Sequence, residues 1–326
     1  MNISEVCKRR RIFPVDTEVP LLVPSFSSKG FPEISEIHNY MSGHLADTSL
    51  ISAYDLYHNF LSEEIIYQSD ILFIDSGGYE RSIDLELSEI YNKEYQPREW
   101  NYELFSNQIS ELVPLTNLVL VSYDSEEKLK LGTQIEEAKK LFGKFPNHAS
   151  DFLCKPTPSN PKKVNIEELC KNIHLLSSFS ILGFTEKELG NSVFQRCGNI
   201  YKVRKSLTDA GMQTPIHIFG CIDPLNVIAY FCSGADIFDG LSWLRFSFVR
   251  GVGNYRNSYA ITSGKWSIPD NRLTALSYAE NLQELTLLMN RMRQFAISYN
   301  FDVFELPEDY TEQLTKLVSS VGIKLN

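Results

Sequence analysis

Residues 235–245 read ADIFDGLSWLR, an apolar run that ends on the carboxylate of Asp239, with the basic side chain of Arg245 six positions further on. Seven similar runs precede it: LLVPS from Leu21, LISAYDL from Leu50, ILFIDS from Ile71, NLVLVSYD from Asn117, DFLCKP from Asp151, FSILGFT from Phe179 and PIHIFG from Pro215. Each is short and rich in Val, Ile, Leu and Phe, with amphipathic Glu- and Lys-bearing stretches between them, the pattern of strand–helix units around a parallel sheet. The run at 235 is the eighth, and eight such units close a (β/α)8 TIM barrel, an α/β fold.

The intervening helices have readable ends. Residues 136–141 stop at Gly143, residues 166–176 are entered through Asn165 as N-cap, and residues 191–210 stop at Gly211. Asp223 and Pro224 open the next helix, Pro224 suiting a first helical position, and it ends near Gly234. After Arg250 the stretch GVGNYRNSYAITSGKWSIPDNR turns polar, glycine-bearing and aromatic, which predicts a long loop or small hairpin over the barrel mouth. A helical pattern returns over 273–299, broken once near Asn281, and a terminal helix is expected over 310–321. The chain reads as one domain over 1–326: a barrel over about 20–250, a lid loop over about 251–271 and C-terminal helices over about 272–326.

The 326 residues are 43% hydrophobic and 22% charged, enough for a full core. A formal charge of −10 argues against indiscriminate polyanion binding, because nonspecific affinity comes from phosphate neutralisation by Lys and Arg. Any nucleic-acid site is therefore local. The six cysteines show no CxxC or CxC spacing, and the N-terminus lacks the apolar core of a signal peptide, so a reduced, cytoplasmic protein is expected. No apolar run approaches the roughly 20 residues that cross a bilayer, so no membrane partner is expected. The run KRRR at 8–11 reads as a solvated N-terminal face.

Polar residues gather where the runs end: Asp75 in the third, Asp124 in the fourth, Lys155 in the fifth, Thr185 in the sixth, Gly220 in the seventh and Asp239 in the eighth. In barrels that end carries the chemistry, and carboxylates kept there only for packing would be costly. Two carboxylates at strand ends, Asp75 and Asp239, suit cleavage of a glycosidic bond, one attacking the sugar carbon and the other managing the proton of the leaving group.

DSGGYE, residues 75–80, resembles the DSGGF/Y-Q motif of tRNA-guanine transglycosylases, and ADIFDG resembles their D-x-F-D motif. SYD, ending at Asp124, resembles the strand whose aspartate recognises the purine edge, and PIHIFGCIDP resembles the seventh-strand segment of archaeal members. ILGFTEKELG falls where the family has a glycine-rich base-binding loop. The resemblance spans about 21–245. It implies Asp239 as nucleophile on the ribosyl anomeric carbon and Asp75 as acid/base toward the departing base. It also implies a base-binding set of Ser76, Gly77, Gly78, Tyr79, Asp124, Gly183, Glu188 and Gly220, and Arg245 as a contact to neighbouring nucleotides. In such a site Gly77 and Gly78 let the backbone approach a flat base, Tyr79 stacks on it and Asp124 accepts hydrogen bonds from its edge. The target nucleotide has to be turned out of its stack.

Three departures from the family pattern shape the expected substrate. No cysteine follows Cys232, so the zinc cassette that the family carries after the eighth strand is absent, and neither zinc nor another cofactor is expected. Glu80 stands where the motif has Gln, and no C-terminal RNA-binding domain is expected after the barrel. This compact pattern is similar to the DNA-directed deazaguanine transglycosylases of modified-DNA systems. It implies exchange of guanine for a 7-deazaguanine, with DNA (or tRNA), the free 7-deazaguanine base and proteins of a DNA-modification or defence system as partners. The alternatives are a DNA glycosylase that resolves the same intermediate with water, a tRNA-directed enzyme, and a non-catalytic accessory subunit, against which the retention of Asp75 and Asp239 argues.

Arg245, Arg250, Arg256, Lys265 and Arg272, interleaved with Trp243, Tyr255, Tyr259 and Trp266, read equally as a nucleic-acid surface that stacks unpaired bases or as a lid with solvated arginines. Lys155 is a candidate phosphate contact, or an exposed lysine on a loop stiffened by Pro156 and Pro158. Asp236, opening its strand, reads as structural, and His217, between Ile216 and Ile218, as a satisfied core histidine.

Overall fold

The eight apolar runs become eight parallel strands in the computed structural model, which describes residues 1–82 and 95–325. They are β1 (Leu21–Pro24), β2 (Thr48–Ser52), β3 (Ile71–Asp75), β4 (Asn117–Val121), β5 (Ala149–Leu153), β6 (Ile181–Thr185), β7 (Ile216–Phe219) and β8 (Ile237–Gly240). Their order is β1-β8-β7-β6-β5-β4-β3-β2. The β1–β2 seam is joined by a parallel bridge between Ser25 and Leu50, where the Phe26 N–H donates to the Leu50 carbonyl at 2.9 Å. The sheet thus forms a (β/α)8 barrel. Every residue of β1, β2, β5, β7 and β8 is buried, which is why these runs are apolar without alternation.

Helices used below are α1 (Ala53–Tyr57), α2 (Gly78–Arg81), α3 (Leu131–Phe142), α4 (Ile166–Lys171), α5 (Val193–Asp209), α6 (Pro224–Phe231), α7 (Asp270–Ser298) and α8 (Glu308–Ser320). Asn165, Ser192 and Asp223 cap α4, α5 and α6, each side-chain oxygen accepting from the backbone N–H three residues on at 3.2, 3.2 and 3.1 Å. That satisfies a donor the helix itself leaves open. α7 and α8 pack outside the barrel, both touching α6. Among the described residues no helix is long and apolar enough to cross a membrane.

Three local readings change. An antiparallel hairpin, β9 (Phe246–Val249) and β10 (Val252–Tyr255), begins directly after Arg245 rather than after Arg250. Its turn is Arg250–Gly251, both with positive φ (53° and 74°), the backbone that matches strand twist in a two-residue hairpin. The hairpin packs on α6 and α7. α7 runs unbroken through Asn281, which is buried and points at the hairpin: its Oδ1 accepts from the Phe248 N–H at 2.6 Å and its Nδ2 donates to the Trp243 and Phe246 carbonyls at 2.5 and 2.8 Å. A polar residue that looks like a helix break is therefore a clamp. Finally, KRRR is not a solvated face throughout, since Arg10 is 4% exposed and its Nη1 lies 2.9 Å from Asp236 Oδ1.

Asp236 marks the amino-terminal end of the barrel. Arg204 Nη2 meets its Oδ2 at 2.5 Å, and the Ile216 N–H donates to the same oxygen at 2.8 Å. Arg204, fully buried, also donates to the carbonyls of Gly234 and Thr214. This acid is structural.

Candidate active site

Because all eight strands run the same way, their carboxyl ends share one face, and Asp75 and Asp239 reach it from β3 and β8. Asp239 is 6% exposed and firmly held. Its Oδ2 accepts from the Ser25 hydroxyl at 2.7 Å, its Oδ1 from the Gly220 N–H at 3.0 Å, and His217 Nε2 stands 3.4 Å from Oδ1. Gly220 follows β7 with φ of +77°, and a Cβ there would meet no atom within 4 Å. Glycine serves here to turn the backbone N–H onto Asp239.

Asp75 is held by backbone N–H groups of its own loop, its Oδ2 accepting from the Gly77 N–H at 3.3 Å, with Ser76 also on the carboxyl. Burial pushes its carboxyl up to about 7, and the charges of Glu80 and Asp239 push the same way. Glu80, on α2, is pushed up to about 7 by burial and by Asp55; Asp55, on α1, also rises to about 7, through burial opposed by hydrogen bonds from Ser28. Four acids thus crowd one end of the barrel. The loop after β1, SFSSKG at 25–30, is tied to three of them: Ser25 to Asp239, Ser27 to Glu80, and Ser28 to Asp55 through both its hydroxyl and its N–H. Lys29, 2% exposed, adds the cation, donating to the carbonyls of Tyr79 and Ser82 at 2.9 and 2.7 Å and lying 4.2 Å from the Tyr79 ring centre.

The expected base-binding residues fall into two groups. Ser76, Gly77, Gly78, Tyr79, Asp124 and Gly220 stand around the acids. Ser76 accepts from the Asp124 N–H at 3.1 Å, joining the ends of β3 and β4. Gly77 has φ of +82°, and a Cβ there would come within 2.7 Å of Trp100 and Tyr54; one on Gly78 would come within 2.7 Å of Asp124 Oδ2. The close approach that these glycines permit is therefore to the protein's own side chains. One face of Tyr79 is covered by Lys29, and its hydroxyl accepts from Arg245 Nη2 at 3.1 Å.

Gly183 and Glu188 are placed differently. Gly183 lies inside β6 rather than in a loop, where a Cβ would press on Phe219 at 2.5 Å and Asp151 Oδ1 at 2.8 Å. Glu188 follows β6, and its Oε2 pairs with Lys155 Nζ at 3.0 Å, while Asp124 Oδ2 takes the same ammonium at 3.1 Å. Burial would lower the Lys155 pKa, but the two carboxylates outweigh it and raise it. In the structure Lys155 is thus a half-buried counter-ion shared by Asp124 and Glu188.

The expected nucleic-acid residues divide as well. Arg245 reaches the site through Tyr79 and lies over the Phe31 ring. Arg256 ties the hairpin to the body instead, donating to the Leu244 carbonyl and the Tyr278 hydroxyl, both at 2.9 Å. Arg250 stands exposed at the hairpin turn. Of the interleaved aromatics, Trp243 and Tyr259 are core residues, whereas Tyr255 and Trp266 are 63% and 72% exposed.

The reading of His217 as a satisfied core histidine holds, but its partners were not visible in the sequence. His217 is fully buried, but its Nδ1 is 2.6 Å from Asp151 Oδ2 and its Nε2 faces Asp239. Burial would lower its pKa, and the two carboxylates override this, raising it to about 9. The available signal was alternation: His217 and Phe219 share the inward face of β7, as Asp151 does on β5, and an acid and a base facing the same interior are paired far more often than not. The serine-rich SFSSKG was the second missed signal.

Among the described residues no group of three His, Cys, Asp or Glu side chains is placed to hold a metal ion, and the six cysteines are unpaired. A cavity beside Asp124, lined by Tyr102, Tyr123, Gln134, Phe152 and Lys155, offers about 30 Å³, room for a water and not for a heterocycle. A scan against protein-family models and a search of curated proteins return no match to this chain.

Proposed function

We propose that this chain is a nucleic-acid base transglycosylase that exchanges guanine for a 7-deazaguanine, in DNA, through a glycosyl ester on Asp239. The observation that carries the reading is the inequality of the two strand-end acids. Asp239 is held by two hydrogen-bond donors, Ser25 and Gly220, with His217 Nε2 3.4 Å away, while burial, joined by the charges of Glu80 and Asp239, pushes the Asp75 carboxyl up to about 7, so that a large fraction holds a proton at neutral pH. Environments that separate two carboxyls in this way assign one as nucleophile and the other as acid.

In the first step Asp239 Oδ2, which has the Ser25 hydroxyl on it, forms a bond to C1′ as the C1′–N bond breaks. The bonding pair leaves with the base, which takes the proton of Asp75. In the second step the incoming base attacks C1′, the C1′–O bond breaks with its pair returning to Asp239, and the proton lost by the incoming base goes to Asp75. Splitting one displacement into two lowers each barrier. Asp124 keeps Oδ1 for a base edge while Oδ2 pairs with Lys155. The preference for DNA rests on the sequence alone, on the missing zinc cassette and on Glu80 in place of Gln.

The test is a denaturing gel for covalent adducts with DNA and with tRNA, each with and without free deazaguanine. Asp239→Ala is expected to abolish the adduct, and Asp75→Asn to slow its formation about 10²–10⁴-fold, the usual contribution of a positioned acid. Wild-type trapping by Asp239→Ala would refute the reading. Abasic sites in place of incorporated labelled base would turn it into a glycosylase.

A further inference from the structure

The interior of the barrel holds a chain of three ionisable side chains, Asp151 on β5, His217 on β7 and Asp239 at the end of β8. β6 separates β5 from β7, and at the level of His217 it contributes Gly183, the Cα partner of His217 in the ladder. With no side chain there, the imidazole crosses over β6 to Asp151; a methyl group on Gly183 would lie 2.8 Å from Asp151 Oδ1. The ring packs against Phe219, at 3.9 Å between centres, and meets Phe73 in a T-shaped contact at 5.6 Å, neither of them charged. The ring therefore faces two titratable groups, Asp151 through Nδ1 and Asp239 through Nε2.

We propose that His217 is the positioning residue of the nucleophile: an imidazolium fixed by Asp151 that holds Asp239 ionised and aligned, and that favours return of the carboxylate when the glycosyl ester breaks. The inference rests on Asp239 acting as nucleophile. His217 exchanges no proton in the cycle. Its effect is Coulombic: forming the ester removes the negative charge it faces, and breaking the C1′–O bond restores that charge, so the cation favours the second step and disfavours overlong survival of the ester.

Two measurements test this. The first needs no substrate: the protonation of His217 is followed by NMR of the ring nitrogens in the folded protein. Both nitrogens are expected to carry protons at pH 7, with a midpoint near 9 that falls by about one unit or more in Asp151→Asn and in Asp239→Asn. A neutral ring at pH 7 overturns the proposal. The second is the pH profile of adduct formation in the double variant Asp151→Asn/His217→Gln, which keeps the net buried charge of the wild type and so avoids the two bare carboxylates that His217→Gln alone would leave. With the cation facing the nucleophile removed, the acid limb is expected to move up by about one unit while the alkaline limb, set by Asp75, stays in place. An unmoved acid limb overturns the positioning role. An imidazolium in a wild-type protein that traps no nucleic acid overturns Asp239 as nucleophile and with it any part of His217 in that step.

Discussion

Asp236 and Asp239 lie three residues apart at the two ends of β8, and the barrel treats them differently. Asp236 meets two arginines and a backbone N–H, with every contact internal to the fold. Asp239 meets a hydroxyl, a backbone N–H and a histidine, and its end of the barrel also holds Asp75, Glu80 and Asp55, each pushed up to about 7. Burial costs are the same in kind at both ends, so the difference lies in compensation. The lower acid is neutralised, whereas Asp75, Glu80 and Asp55 are left poised to bind protons, an arrangement that costs stability.

Removing the lower acid is the strongest way to test the contrast. Asp236→Asn leaves Arg10 and Arg204 facing each other in the interior, and breaking a buried pair from one side costs about 3–5 kcal/mol. Urea unfolding should show that loss at both pH 6 and pH 8, while the protein that remains folded keeps wild-type adduct formation per molecule. A neutral Asp236→Asn would erase the distinction between the two ends.

The upper end should respond with the opposite sign. Glu80 titrates near 7 in the folded protein and near the ordinary 4.5 when unfolded, so the folded state binds its proton more tightly. The stability associated with that proton is fully present below about 4.5 and is lost as pH rises through about 7. Wild-type stability is therefore expected to fall between pH 5 and pH 8. Glu80→Gln, which keeps an oxygen for the Ser27 hydroxyl, should flatten that fall and be more stable than wild type by about 3 kcal/mol at pH 8, given about 1.4 kcal/mol per pKa unit. A parallel pH dependence in the two proteins would mean that Glu80 is charged and compensated at neutral pH, like Asp236.

The contrast also explains what was legible in the sequence. The strands were readable because a barrel buries them on both faces, so composition alone reports them, and the caps at Asn165 and Asp223 were readable because capping is local chemistry. Asp75 and Asp239 were legible as the polar ends of apolar runs. Contacts made across the barrel were not: the pairing of His217 with Asp151 spans 66 positions, and that of Arg10 with Asp236 spans 226. A mid-strand histidine and a basic N-terminal run look the same whether they face solvent, packing or a buried acid. Asn281 misleads for the same reason, its partners lying in the hairpin and the turn before it, more than 30 residues away.

Lys155 provides an intermediate case. It bridges Asp124 and Glu188 as the arginines bridge Asp236, but all three side chains are 17–21% exposed. Water and salt therefore screen part of what removal would expose. Lys155→Met should cost about 1–2 kcal/mol, less than Asp236→Asn, because the stranded carboxylates can hydrate. The same variant decides whether the lysine touches phosphate. Removing a lysine that neutralises a phosphate lowers the slope of log affinity against log salt by about one, whereas removing an internal counter-ion leaves that slope alone. With its ammonium held by two carboxylates and the Thr185 hydroxyl, Lys155→Met should bind single-stranded DNA with an unchanged salt slope. A slope reduced by about one would move Lys155 out of the scaffold and onto the nucleic-acid surface, leaving Asp124 free to meet a base with both oxygens.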